Sequence, residues 1–130
     1  MIRTLTMLTL ALTSVAALAA PTPDYIARYD HCLKEAGGIN NAAVASCSES
    51  VSTAVKKEIN TLYVKLHTRL AAESAADADK LESTQKAWLV YRNGQCELAT
   101  SYVGSPMYGY CPMMLNIQRA DQLREMMIGD

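Results

Sequence analysis

Four cysteines carry the most reactive side chains in this sequence: Cys32, Cys47, Cys96 and Cys111. An even number of cysteines is typical of a disulfide framework when the chain enters an oxidising compartment, and three pairings are possible. Cys32–Cys47 and Cys96–Cys111 are favoured, because each pair flanks a short break between helical segments. A closed loop of about 15 residues stabilises a small domain by roughly 3 kcal/mol.

Histidines and carboxylates show no catalytic pattern. His31 is next to Cys32, but adjacent residues of a helix point about 100° apart, and an oxidised cysteine is not a nucleophile. His67 has the setting of a helix surface residue. Acidic residues favour the dipole at a helix start, which explains the only carboxylate cluster, formed by Asp77, Asp79 and Glu82. We predict no catalytic residues and no enzyme.

Metal binding is disfavoured by the spacing of the candidate ligands. No C-x-x-C or H-x-x-x-H pattern exists, which argues against structural zinc. Thioethers select Cu(I), so a copper carrier is an alternative. The relevant methionines are Met107, Met113, Met114, Met126 and Met127. Methionine more often fills gaps in a core or an adaptable contact surface. We predict no metal site and no cofactor.

Residues 1–19 have the layout of a secretory signal peptide, with Arg3, an apolar run and small residues at Ala17 and Ala19. The run is shorter than the roughly 20 residues that span a bilayer. We expect cleavage after Ala19, a single domain over residues 20–130, and no stable membrane insertion afterwards. The expected location is the periplasm or the medium.

The charge balance excludes one class of partner. Of 12 basic and 13 acidic residues, cleavage removes only Arg3, which leaves 11 basic residues and a formal charge of −2. A domain so close to neutrality lacks the basic surface that nucleic acid requires.

No strand pattern occurs, and good helix formers dominate the chain. The first helix is predicted over residues 24–36, with Asp24 as its cap and Gly37-Gly38 at its end. Its apolar face is expected to contain Ile26, Tyr29 and Leu33. A second helix, capped by Asn40 or Asn41, runs to Glu73. Its buried seam is Val44, Cys47, Val51, Val55, Ile59, Leu62, Leu66 and Leu70. Off the seam, Lys56, Lys57, Glu58 and Lys65 are expected in solvent.

Asp77 or Asp79 is expected to cap a third helix that ends near Val103. Its predicted buried stripe is Leu81, Trp88, Tyr91, Gln95, Leu98 and Tyr102. Pro112 suits the first turn of a fourth helix. In that helix, Leu115, Ala120, Leu123 and Met127 are expected to face inward. The prediction is a small all-α bundle of three to four helices, with two long antiparallel helices and two disulfides.

The 102–110 loop is the best candidate for a binding surface, because a disulfide closes it and tyrosine offers a large contact area. Its proposed partner-binding residues are Tyr102, Gly104, Ser105, Pro106, Met107, Tyr108 and Tyr110. A tethered loop has also lost much of its freedom before binding. The alternative is that these tyrosines pack over the end of the bundle.

The segments "KAWLVYRNGQCELAT", "VGS", "YC" and "NIQRADQLREM" resemble the lysozyme inhibitor LprI-like N-terminal domain family. The matching residues are Trp88, Tyr91, Arg92, Cys96, Gly104, Ser105, Cys111, Arg119 and Leu123. Upstream, Cys47 in "SCSESVSTAVKKEINTLYVKL" matches the family's cysteine at the start of its first long helix. The resemblance covers residues 30–127. The chain lacks the lipid-attachment cysteine of lipoprotein members, and "VGSP" replaces their Gly-Gly-Ser.

The resemblance implies an exported helical protein, and the chemistry of the matching residues indicates structural roles for three of them. We expect Trp88 to anchor the core, and Arg92 and Arg119 to bond carbonyls at the ends of the loop. The expected function is an exported protein-binding module that inhibits a lysozyme-type cell-wall hydrolase through the 102–110 loop. The alternative is a periplasmic structural or envelope-stress module with no hydrolase target.

Overall fold

A computed structural model describes residues 22–128, which form four α-helices and no strand. The helices are α1 (Tyr25–Glu35), α2 (Asn41–Glu73), α3 (Ala75–Tyr102) and α4 (Met107–Met127). The predicted all-α bundle with two long antiparallel helices is confirmed. The predicted signal peptide, residues 1–19, lies outside the described part of the chain.

Side-chain caps fix where the first three helices begin. Asp24 accepts a hydrogen bond from the Ala27 amide, and Asn40 accepts one from the Ala43 amide. The predicted cap of α3 was wrong: Ser74, not Asp77 or Asp79, accepts from the amide of Asp77. Ser74 alone separates α2 from α3: its backbone is extended, and the alanine-rich segments on both sides are helical.

Helix α2 forms the centre of the core, as its spacing predicts. Val51 and Val55 are fully buried, Leu66 is 1% exposed, and the seam continues with the partly buried Leu62 and Leu70. Two expectations near this core were wrong. Tyr25, not Ile26, joins Tyr29 and Leu33 on the inner face of α1. Glu58 is mostly buried instead of solvated, because it faces α4.

The predicted buried stripe of α3 was largely wrong. Leu81 is buried and Trp88 is half-buried, but Gln95 and three apolar members of the stripe point to solvent: Tyr91, Leu98 and Tyr102. The inner face is shifted by about one position along the helix. It consists of Ala78, Leu81, Gln85, Trp88, Arg92 and Cys96. Polar side chains therefore face the bundle where the sequence pattern favoured apolar ones.

Helix α4 begins before Pro112, contrary to the prediction. It starts at Met107, so Pro112 lies inside the helix and the turn after α3 shortens to residues 103–106. Pro112 has a backbone angle that fits a helix, but it donates no bond to the Tyr108 carbonyl and its ring crowds that carbonyl, which weakens the helix near its start. Tyr108 and Tyr110 consequently lie on the first turns of α4 and not in a loop.

Both disulfides form as predicted, Cys32–Cys47 and Cys96–Cys111, with Cα–Cα distances of 5.7 and 5.5 Å. Since α2, α3 and α4 alternate in direction, the turn before α2 and the turn before α4 lie at the same end of the bundle. We call this the disulfide end. At this end the rings of Tyr29 and Tyr110 pack together, with their centroids 5.7 Å apart. This contact joins the two helix pairs that the disulfides link.

Candidate functional site

The turn between α3 and α4 is short and well connected. Gly104 has a φ of 139°, a conformation that glycine adopts without steric cost. Its amide donates to the Ala99 carbonyl at 3.3 Å, and its own carbonyl accepts from the Met107 amide at 3.0 Å. Ser105 accepts from the Tyr108 amide at 3.1 Å. These bonds and the adjacent disulfide hold the tip in one arrangement.

The tip exposes two tyrosines on opposite sides of the turn. Tyr102, the last residue of α3, is 85% exposed, and Tyr108, on the first turn of α4, is 80% exposed. Pro106 and Met107 between them are half-buried. Tyr110 is half-buried against Tyr29 and belongs to the scaffold of the end. The tyrosines therefore divide: two face solvent and one packs on the bundle.

The surface around the tip is uncharged in sequence and apolar in composition. No Asp, Glu, Lys or Arg occurs from Leu98 to Gln118. Val103 is exposed at the tip, and Ile39 is 83% exposed on the other turn of the disulfide end. Ile39 was not among the predicted binding residues. Its position next to the cap residue Asn40 and after two glycines was the signal that could have found it.

Trp88 and two arginines brace α3 against α4. The Cζ atoms of Arg92 and Arg119 lie 5.2 and 5.8 Å from the centre of the Trp88 ring. Cations over an aromatic ring are attracted by its electron-rich face. Arg119 donates from Nε to Gln85 Oε1 at 2.9 Å and from Nη1 to Gln122 Oε1 at 3.2 Å.

The expected bonds from the two arginines to carbonyls at the ends of the loop do not occur in the described chain. Arg92 instead donates from Nη1 to Asn116 Oδ1 at 2.9 Å, and Asn116 donates to Ser52 Oγ at 2.9 Å. Asn116 is almost fully buried, and its bonds join α2, α3 and α4. Burial lowers the pKa of Arg92 and of Arg119, because no carboxylate compensates the lost hydration.

A separate ionic network joins α1, α2 and α4. Arg124 pairs bidentately with Glu58, from Nε to Oε1 at 2.8 Å and from Nη2 to Oε2 at 2.9 Å. Arg124 also pairs with Asp121. Tyr25 donates its hydroxyl to Glu58 at 2.7 Å. The hydrogen bonds from Arg124 hold the pKa of Glu58 below its usual value, and burial raises the pKa of Tyr25 to about 12.

The two histidines considered for catalysis lie on different helices, His31 on α1 and His67 on α2. His31 is exposed and 3.3 Å from Glu35, whereas His67 packs against Tyr63. Among residues 22–128, no group of three or more His, Cys, Asp or Glu side chains is arranged to hold a metal ion. Met113 is fully buried in the core. The disulfide end offers exposed aromatic surface and hydrogen-bonding groups, which suit the binding of a partner.

Comparison with known proteins gives one family. A family model described as Lysozyme inhibitor LprI matches residues 32–123. No curated protein and no solved structure matches the chain. Within the described residues, no helix combines the length and the apolar character needed to cross a membrane. The matched range contains all four cysteines, the Trp88 brace and the tip.

Proposed function

This chain belongs to the lysozyme inhibitor LprI family, and on that premise we propose that it is an exported module that inhibits a lysozyme-type cell-wall hydrolase through its disulfide end. The family is one of inhibitors, and two disulfides are typical of a protein outside the cytoplasm. The predicted signal peptide supports a periplasmic or secreted location.

The observation that carries the proposal is the pair of exposed tyrosines on a tethered turn. Tyr102 and Tyr108 leave about four fifths of their surface in solvent, although they are large and apolar. Exposed aromatic side chains on a rigid support are the typical anchors of protein interfaces. The disulfide and the turn hydrogen bonds reduce the entropy that is lost on binding. A partner protein would cover these rings together with Gly104, Ser105, Pro106 and Met107.

The chemistry of the tip suits the cleft of a glycoside hydrolase. Such enzymes place two carboxyl groups on either side of the bond that they cleave and bind neutral sugars beside them. An uncharged tip has no carboxylate that these groups would repel. Tyrosine and serine hydroxyls can replace the hydrogen bonds of sugar hydroxyls. Occupation of the cleft by the tip would exclude the polysaccharide.

The test is a lysozyme activity assay with the purified, disulfide-intact protein. Inhibition at micromolar concentrations is expected. Tyr102→Ala and Tyr108→Ala should each weaken inhibition about tenfold, the effect of removing an interface anchor. The matched control is Tyr91→Ala, which removes an exposed tyrosine of α3 more than two helical turns from the tip. Full-strength inhibition by both tip variants would show that another surface binds.

A co-purification from envelope extract tests the partner class. The inhibitor proposal expects a cell-wall hydrolase to be captured by the wild-type protein and not by the Tyr102→Ala, Tyr108→Ala double variant. Absence of inhibition against lysozymes of different types, together with capture of membrane or chaperone proteins only, would favour an envelope structural role instead.

A further inference from the structure

A groove between α2, α3 and the first half of α4 contains two cations that have no ionic partner in the described chain. The groove has a volume of about 740 Å³ and opens beside Tyr108. A second groove of about 460 Å³ continues along α2 and α3, because Lys56 and Arg92 line both. No ion pair within residues 22–128 includes either of these two side chains.

Arg92 has unused hydrogen-bond donors. Its Nε and Nη2 donate to Asn93 Oδ1 at 3.1 and 2.8 Å, and its Nη1 donates to Asn116 Oδ1 at 2.9 Å. A guanidinium has five N–H groups, so two remain without an acceptor in the described chain. Both acceptors are neutral amides, which leave the positive charge uncompensated. The Trp88 ring lies 5.2 Å from Cζ of the same group.

The groove changes character towards the disulfide end. Glu49 on α2 and Glu97 on α3 line it there, near the hydroxyls of Thr100 and Ser101. These groups accept hydrogen bonds from hydroxyl or amide N–H groups, and the two carboxylates disfavour a second negative charge. The volume lies in the range of small-molecule sites. A complementary ligand therefore has one carboxylate at one end and hydrogen-bond donors at the other.

We propose that this groove binds a small ligand whose carboxylate lies between Arg92 and Lys56 and whose hydroxyl or amide groups face Glu49 and Glu97. Planar guanidinium groups bind carboxylates through parallel hydrogen bonds. Two sources share this chemistry, namely acidic amino sugars and the C-termini of short peptides. The proposal concerns a small molecule in a groove along the helices, and it does not depend on hydrolase inhibition at the tip.

The test is an NMR titration of the disulfide-intact protein with matched pairs of ligands. N-acetylmuramic acid is compared with N-acetylglucosamine, and acetyl-alanyl-alanine is compared with its C-terminal amide. In at least one pair the carboxylate is expected to bind about tenfold more tightly than its neutral counterpart. The side-chain signals of Asn93 and Asn116 should shift on binding. The pair with the larger discrimination identifies the source of the ligand.

Variants locate the site. Lys56→Gln should weaken carboxylate binding about threefold, as expected for an exposed charge, whereas the neighbouring Lys57→Gln, outside the groove, should leave it unchanged. Arg92→Gln should weaken it at least about tenfold. If Arg92→Gln does not fold, the lysine pair decides. The proposal is overturned if no carboxylate shifts these signals at about 10 mM, if the neutral ligands bind equally well, or if the two lysine variants behave alike.

Discussion

The inner faces of α2 and α3 differ in the kinds of side chain that they pack against the rest of the bundle. Helix α2 turns a continuous apolar seam towards its neighbours, with Val51 and Val55 fully buried. Helix α3 turns Gln85, Trp88 and Arg92 inward and leaves apolar residues such as Tyr91 and Leu98 in solvent. Helix α2 packs mainly through apolar side chains, whereas α3 supplements its few buried apolar residues, Ala78, Leu81 and Cys96, with hydrogen bonds.

This difference teaches why the exposed apolar surface is where it is. The hydrophobic effect has no direction, so α2 gains stability from every buried methyl group. Hydrogen bonds from Arg92 and Arg119 fix the rotation of α3 about its axis instead. That rotation turns Tyr91 and Leu98 outward, in line with Tyr102 near the tip. These apolar side chains of α3 therefore stay in solvent while α2 keeps the bundle folded.

Matched leucine truncations give the largest expected contrast. Leu66→Ala on α2 removes a side chain that is 1% exposed and should lower the free energy of unfolding by about 3 kcal/mol. Leu98→Ala on α3 removes one that is 56% exposed and should lower it by less than about 0.5 kcal/mol. Urea unfolding measures both values. Similar losses for the two variants would contradict the contrast between the helices.

Truncation of Arg119 tests the directed contacts of α3. Arg119→Met should lower the free energy of unfolding by about 2 kcal/mol, because Gln85 on α3 loses its charged hydrogen-bond donor. Trp88 is the only tryptophan of the chain, so its fluorescence should report the change directly. The control, Arg28→Met, removes an exposed arginine of α1. If Arg119→Met costs no more than this control, directed contacts do not hold α3.

Acid should affect the polar contacts of the two helices differently. Glu58 of α2 has a lowered pKa, so the stability that it contributes is full above its ordinary value of 4.5 and is lost as the pH falls through the lower folded value. Glu58→Gln should cost about 1 kcal/mol at neutral pH and much less at low pH. The amide partners of α3 do not titrate.

The alkaline side of the same network has the opposite sign. The pKa of Tyr25 is raised to about 12, so its contribution is complete below the ordinary value of 10 and is lost as the pH rises through about 12. Tyr25→Phe should remove this alkaline loss. Unfolding curves of wild type and both variants across pH measure these effects, and unchanged pH profiles in Glu58→Gln and Tyr25→Phe would contradict the assignment.

Two helical glycines give the smallest expected contrast. A Cβ at Gly94 of α3 meets no atom within 4 Å, so Gly94→Ala should stabilise the protein by about 0.5–1 kcal/mol. A Cβ at Gly109 of α4 lies 3.3 Å from Ser48 Cβ on α2. Gly109→Ala should therefore show no comparable gain in melting temperature. A gain at Gly109 equal to that at Gly94 would show that α4 does not pack tightly on α2.

Much of the fold could be predicted because the signals were local. The α2 seam was correct since eight apolar residues repeat at helical spacing without interruption. The caps of α1 and α2 could also be predicted, because Asp24 and Asn40 each bond an amide only three residues further along the chain. The cap of α3 was wrong because Ser74 competes with Asp77 and Asp79 for the same role. Pairing of cysteines across short breaks also followed from spacing, and both pairs were confirmed.

The candidate site was predicted only in part. Its position between Cys96 and Cys111 followed from composition, and the exposed tyrosines are among the residues proposed for it. The division that leaves Tyr108 in solvent and Tyr110 against Tyr29 did not follow, because the start of α4 at Met107 decides it. The place of Ile39 at the same end of the bundle did not follow either, because it depends on the alternating directions of α2, α3 and α4.

The sequence alone determined that the chain is helical, that two disulfides close two helix pairs, and that a tyrosine-rich turn lies beside one of them. Each of these properties depends on residues within a few helical turns of one another. Tertiary structure alone decided which face of α3 is buried. The apolar residues of that helix fit either face, and the choice is made by Asn116, which accepts from Arg92 and donates to Ser52 over 24 and 64 positions of the chain. The spacing of neighbouring residues cannot predict hydrogen bonds between residues so far apart in the chain.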